Sequence, residues 1–455
     1  MVRFLEYCRS FYNGYYYPCL VLILVFLGHS TSMELVFGAI LMATIIFGLL
    51  ISHDVKFLMM PVMATFAIIP SARFPEYDYY ASTAVIAMIV VLAVLFAAAL
   101  IFFLVRNRKI ANPVPLKGLF LSILVFCGVL CLNGIFSERY TVGNFLFTIL
   151  MLLTMPLVYW IFAAFLQYKK SMMDYFMLCL VGVGLLISAE LILAYLTTVH
   201  FKAGDIVKES VYLGWGIWTN IGSMLVFLMP ACFYFAHSHK NGWIGYVLGL
   251  IEFFCIVLSQ SRAALLIGAL SLALCMIYLC LSGKNKRLNR IMTVSLGAIV
   301  LLALPLVFDK VVALLNNFLQ KGFDDNGRYD LWVSAWDAFL RSPIFGSGFY
   351  DVVRVEGNWH LLESLPDMCH NTILQVLGMS GIVGILAYGY HRFETVKLVV
   401  VKRNPIKMFL GICILGFLLF GLLDVVFFIA YPNMIYTLML LFMQFSELPE
   451  EEMYI

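Results

Sequence analysis

Three polar side chains stand at the edges of long apolar runs: Arg262, Arg328 and His370. Arg262 follows Ser259-Gln260-Ser261 and opens an apolar stretch, 263–281, that contains no other charge. Arg328 comes after Asp324-Asp325-Asn326-Gly327, a run with turn and cap chemistry. His370, followed by Asn371, precedes an apolar run carrying Gly378, Gly381 and Gly384. A guanidinium offers phosphate oxygens a planar fork of donors, and two of them can hold a diphosphate. An imidazole, whose ordinary pKa is about 6.5, can take a proton from a hydroxyl near neutral pH. A diphosphate-activated donor and a hydroxyl acceptor would use both kinds of group. Taken singly, each residue also has a plainer reading. An Arg at a membrane edge can be a snorkelling anchor, and an interfacial His can be structural.

The element that must position these groups is one polar segment, 309–370, set among hydrophobic ones. Loops longer than about 15 residues are usually functional or disordered, and this one holds too many Trp, Phe and Leu residues for a disordered linker. From Arg328 to Arg341, the residues Trp332, Ala335, Trp336 and Phe339 recur at helical spacing. The spacing predicts an amphipathic helix lying on the outer membrane surface, stopped by Pro343. Arg328 falls in its first turn, where a cation is unfavourable, so it should have an anionic partner: Asp325, Asp330 or a ligand. Gly381 and Gly384, with Gly378 one turn earlier, would let a neighbouring helix approach closely and so fix where His370 points.

Composition decides the solvent. The chain has 455 residues, 63% of them hydrophobic and 12% charged, and a mean hydropathy of +0.97. Soluble proteins are far less apolar, so lipid is the solvent. Apolar runs long enough to span recur throughout and predict an all-α, polytopic helical bundle of about 12–14 spans, a single integral membrane domain over residues 1–455. The run from Pro18 to Leu27 resembles a signal peptide, but no small-x-small cleavage site follows, so it reads as an uncleaved first span. With the N-terminus inside, Lys and Arg in inner segments, Arg392, Lys397, Lys402 and Arg403 among them, outnumber those in outer segments by about two to one. That asymmetry predicts cytoplasmic N- and C-termini and an extracytoplasmic 309–370 loop. A second outer segment, from His200 to Trp215, is shorter, and the tail from Glu447 is acidic.

The net charge of +3 gives no reason to invoke nucleic acid. The 11 cysteines lie mostly in apolar runs, without metal-binding or disulfide spacing; Cys369 alone falls in the loop. Glu190, Glu252 and Asp424 are acids inside apolar runs, expensive in lipid. An internal pairing with Lys, Arg or Tyr explains them as well as a functional role does.

These motifs resemble a known family. His370-Asn371, nine residues and then Gly381-Ile382-Val383-Gly384 resembles the His-Asn-x9-Gly-x-x-Gly signature of bacterial O-antigen ligases. Their superfamily also holds O-antigen polymerases and some protein O-oligosaccharyltransferases. Ser261-Arg262-Ala263 looks like the family's Ser-Arg-(Gly/Ala) element. Gly327-Arg328-x3-Trp332 and Pro343-x2-Gly346-x-Gly348 are similar to its loop elements. The resemblance covers residues 240–400 or thereabouts.

It implies a glycosyltransferase of the bacterial inner membrane that works without metal or other cofactor. Its donor would be a glycan on undecaprenyl diphosphate, transferred or polymerised at the extracytoplasmic face. The acceptor would be a glycan, lipid or protein, in O-antigen, capsule or exopolysaccharide synthesis. By that resemblance Arg262 and Arg328 would hold the diphosphate and His370 would activate the acceptor hydroxyl. Asn371, Gly381, Gly384, Trp332, Gly346 and Gly348 would support them. The alternative is a transporter or flippase for the same lipid-linked glycan. Transporters keep their charges near the bilayer midplane, whereas here the distinctive residues gather at one face.

Overall fold

Lipid offers a backbone no hydrogen-bond partners, so a chain this apolar must satisfy its amides within helices. The computed structural model describes residues 2–68, 82–133, 142–197, 212–320, 328–348, 368–424 and 426–448. In chain order the helices are α1 (Val2–Asn13), α2 (Tyr16–Thr31), α3 (Glu34–Ile51), α4 (Met59–Ala64), α5 (Thr83–Asn107), α6 (Gly118–Leu132), α7 (Val142–Leu152), α8 (Thr154–Phe165) and α9 (Ser171–Thr197). A hairpin of β1 (Tyr212–Leu213) and β2 (Gly216–Ile217) leads into α10 (Trp218–Leu228), α11 (Pro230–Ser238) and α12 (Gly242–Leu258). Then come α13 (Arg262–Leu281), α14 (Lys286–Gln320), α15 (Arg328–Arg341), α16 (Thr372–Val400), α17 (Pro405–Phe420) and α18 (Ala430–Phe445).

Among the described residues, seven helical segments are long and apolar enough to cross a membrane, and eight if α1 and α2, bent by 67°, count as one span. Four shorter apolar segments, α6, α12 and α17 among them, accompany these. The centre of the bundle is α10–α11 with α9 and α18, where Phe176 stacks on Phe442 at 4.0 Å. At the periphery, α5 turns most of its Ile, Val and Leu side chains outward, as a lipid-facing helix should.

Three expectations need correction. Helix α14 continues past Asp309 to Gln320. Its 35 residues rise roughly 52 Å, well beyond a hydrocarbon core of about 30 Å. The change in polarity at Asp309 therefore does not end the helix, because helical hydrogen bonds are local and survive in either medium. Arg392 is not in a segment between helices: it sits on α16 over the rings of Tyr388, Phe427 and Tyr436, at 4.8, 4.4 and 5.3 Å. Helix α15 does not lie free on a surface; it packs along α16. The face it buries is centred on Ala335 and Ala338, with Leu331, Trp332 and Phe339 partly covered, while Trp336 is turned outward. The expected stripe was off by about one position because Trp336 contributes its ring to Phe339, not to α16. The 324–327 turn, residues 349–367 of the loop, 198–211 and the tail from 449 lie outside the described residues.

Helices α16 and α17 form a pair held mainly at their ends. At one end Lys407, fully buried, donates to the Leu398 and Val401 carbonyls at 2.6 Å each and pairs with Glu447. Those contacts satisfy carbonyls that the end of α16 would otherwise leave open. The other end holds the candidate site.

Candidate active site

The start of α16 is built by its own sequence. Asn371 is the N-cap: its Oδ1 accepts the Ile373 and Leu374 amides at 3.0 Å each, and its Nδ2 donates to the Leu422 carbonyl at 3.0 Å. The Thr372 amide donates to the Gly421 carbonyl at 2.8 Å, and its hydroxyl to the Asp424 carbonyl at 3.1 Å. The start of α16 is thereby bolted to the segment that follows α17. His370, one residue earlier, is left-handed, with φ +51°. Its Nδ1 lies 3.0 Å from Oδ1 of Asp424, and its side chain is 44% exposed. With a carboxylate at Nδ1, the favoured neutral tautomer carries its proton there and leaves the lone pair on Nε2. That is the arrangement of a general base open to a substrate.

Eleven residues after His370, Gly381 breaks α16 with φ +58° and ψ −153°. A break inside an apolar helix strands amides and carbonyls, and the segment after α15 takes them up. Ile382 and Val383 donate to the Pro343 and Ile344 carbonyls at 2.9 and 3.1 Å. In return Ser347 and Gly348 donate to the Gly378 and Met379 carbonyls at 3.0 and 2.9 Å. Asn133, at the end of α6, donates to the Ser380 carbonyl at 3.0 Å. The approach is close: a Cβ on Gly346 would come within 2.2 Å of the Met379 carbonyl and the Ser380 nitrogen. Gly381 thus serves a docked loop at the break, in addition to the close packing of α16 on α6. Gly384 has Ser380 and Val376 of its own helix against it.

The same strap fixes the level of Arg328. Ser347 joins both helices, its amide on Gly378 and its hydroxyl on the Ala338 carbonyl at 3.1 Å. Farther along, Pro343 meets Ile382. Residue numbers therefore rise together, and α15 runs parallel to α16. Arg328 lies about 15 Å up α15 from Ala338, and His370 about 12 Å up α16 from Gly378, at 1.5 Å per residue. The two stand at nearly the same level. Arg328 is half-buried at the start of α15, and Trp332 follows it by one turn on the packed side. Arg262 opens α13 at an exposed position, with Ser261 as N-cap accepting the Ala264 amide at 3.3 Å. Chain order puts the starts of α13 and α16 and the end of α17 on one side of the bundle, and α13 packs against α17.

The buried acids find partners that the sequence did not suggest. Glu190 accepts the Trp215 indole N–H at 2.8 Å, so the β1–β2 hairpin is anchored in the bundle. Glu252 meets the Cys232 thiol at 3.2 Å and lies against Gly184, where any Cβ would collide with it. Asp424 meets His370. Sequence reasoning left Asp424 without a role; the available signal was an acid near the outer end of an apolar run. Burial pushes the Cys369 thiol beside His370 up to about 12, with the nearby Asp424 charge adding to it.

Residues 244–389, roughly a third of the chain, match the model of a family described as O-antigen ligase. The matched stretch contains Arg262, Arg328, His370, Gly346, Gly348, Gly381 and Gly384, and it ends before Asp424. No curated protein matches the chain.

Proposed function

From the premise that this chain is a member of the O-antigen ligase/polymerase superfamily and an O-antigen ligase-type membrane glycosyltransferase, we propose that it takes a glycan from an undecaprenyl-diphosphate-linked donor. The acceptor is a hydroxyl at the extracytoplasmic face of the bacterial inner membrane. The acceptor oxygen bonds to the anomeric carbon as the bond from that carbon to the diphosphate oxygen breaks. The diphosphate leaves with the electron pair, and Arg262 and Arg328 carry its charge. The hydroxyl proton passes to His370 Nε2, while Asp424 holds the tautomer and stabilises the imidazolium. The observation that carries this reading is the 3.0 Å contact between His370 and Asp424 beneath an exposed imidazole.

The test uses purified protein in detergent with a lipid-linked glycan. An enzyme releases undecaprenyl diphosphate and extends an acceptor without any membrane gradient. No release in detergent, together with movement of the same lipid across liposomes, would favour a transporter. The orientation is checked separately with fused reporters, which should read as external after Glu356 and cytoplasmic after Lys286 and Lys402. A cytoplasmic signal at Glu356 would remove the external site.

A further inference from the structure

Gln375 has a feature that packing does not explain. Its side chain is fully buried one turn into α16, and its Oε1 accepts the Cys369 amide at 2.8 Å. Its Nε2 has no hydrogen-bond partner among the described residues. A buried donor without a partner is unfavourable, so an apolar side chain of the same shape would fill the space at less cost. The use of an amide here must lie in its oxygen, and that oxygen holds the residue next to His370. Cys369 is itself fully buried, so the tie is made inside the protein. His370 is left-handed, a conformation that a non-glycine residue keeps only where its surroundings over-determine it. Asn371 and Thr372 fix the chain on one side of His370; the Gln375–Cys369 bond fixes it on the other.

We infer that Gln375 is a positioning residue for the transfer reaction, acting through the Cys369 amide to hold the turn that sets the His370 imidazole against Asp424. The inference rests on the glycosyltransferase reading for its rate measurements and is independent of it for the chemical one. Gln375→Met keeps the shape and loses the acceptor. It lowers kcat about tenfold, the size expected when contacting residues are uncoupled, and leaves KM for the lipid-linked glycan unchanged. Gln375→Glu, which keeps an acceptor oxygen, retains more of the rate than Met. In a His370→Ala background Gln375→Met lowers the residual rate no further.

Diethyl pyrocarbonate supplies the measurement without substrate, since it acylates an unprotonated imidazole nitrogen. Acylation at His370, followed by mass spectrometry, slows several-fold in Gln375→Met and recovers in Gln375→Glu. An equal loss in both backgrounds, a Met variant as fast as wild type, or unchanged His370 acylation overturns the inference. So does failure of both variants to insert, which would make Gln375 a folding residue. An inactive wild type whose His370 acylation still responds to Gln375 would sink the glycosyltransferase reading and leave the positioning role standing.

Discussion

His370 Nδ1 lies 3.0 Å from Asp424 Oδ1, although 54 positions separate the two residues in the chain. The contact assigns different duties to the two nitrogens of one ring. Asp424→Asn can present its amide N–H to Nδ1, which drives the ring proton to Nε2 and blocks it as a base. The rate should fall toward that of His370→Ala, a loss of about 10²–10⁴-fold for a general base. His370→Gln keeps a hydrogen bond but not the basicity, so it should be nearly as inactive as Ala. Initial rates at matched protein levels decide, and an active Gln variant would reduce His370 to an orienting group.

Arg262→Ala and Arg328→Ala should each slow transfer by about one to two powers of ten, since a charge-assisted hydrogen bond is worth roughly 1.5–3 kcal/mol. Lys should rescue only in part, because it lacks the planar fork. The loss should appear with the diphosphate donor while the protein inserts normally. Full activity in Arg328→Ala would leave that residue a place in the packing of α15 and nothing more.

Gly381→Ala meets two obstacles at once. The position has φ +58°, and the new Cβ would sit 2.6 Å from the Pro343 and Ile344 carbonyl oxygens. Strain of this kind costs about 1–3 kcal/mol, and the displaced strap would add to it. Thermal unfolding in detergent should show a clear loss of stability. Gly389→Ala on the same helix, with open space around it, should be neutral or slightly stabilising. Equal behaviour of the two variants would contradict the docked break.

Cys369 gives a pH prediction. Its folded-state thiol ionises at about 12 because of burial, against about 8.5 for a free thiol. Any stability tied to the neutral thiol is therefore fully present below about pH 8.5 and is lost as pH rises toward the folded value. Maleimide at pH 8 should leave Cys369 unmodified in the folded protein and label it after denaturation. Rapid labelling in the native state would mean that the turn before His370 is open.

The candidate groups were legible because each is a charge or imidazole at the edge of an apolar run. Arg262, Arg328 and His370 need no tertiary information to stand out, and neither did the helical architecture, since lipid permits little else. Asp424 could be seen but not paired, because its partner is set by how α17 returns alongside α16. The role of Gly381 was ambiguous in principle. Two glycines three residues apart suit a helix contact and a helix break equally, and the choice depends on a segment more than thirty residues upstream. Trp336 misled for a related reason: helical spacing finds a face, but not which edge of it meets the neighbour.

The pairing of α16 with α17 has a consequence for registration. Between their ends the two helices barely touch each other directly, so the alignment of His370 with Asp424 owes little to packing of one on the other. The direct ties between them are the short 401–404 link with Lys407 behind it and the Thr372 and Asn371 bonds in front, while Tyr436 of α18 bridges His391 of α16 and Phe417 of α17. A slip of one helical turn would displace the partners by about 5.4 Å, more than the whole length of their hydrogen bond. The chemistry at one rim of the bundle thus depends in part on a four-residue link at the opposite rim.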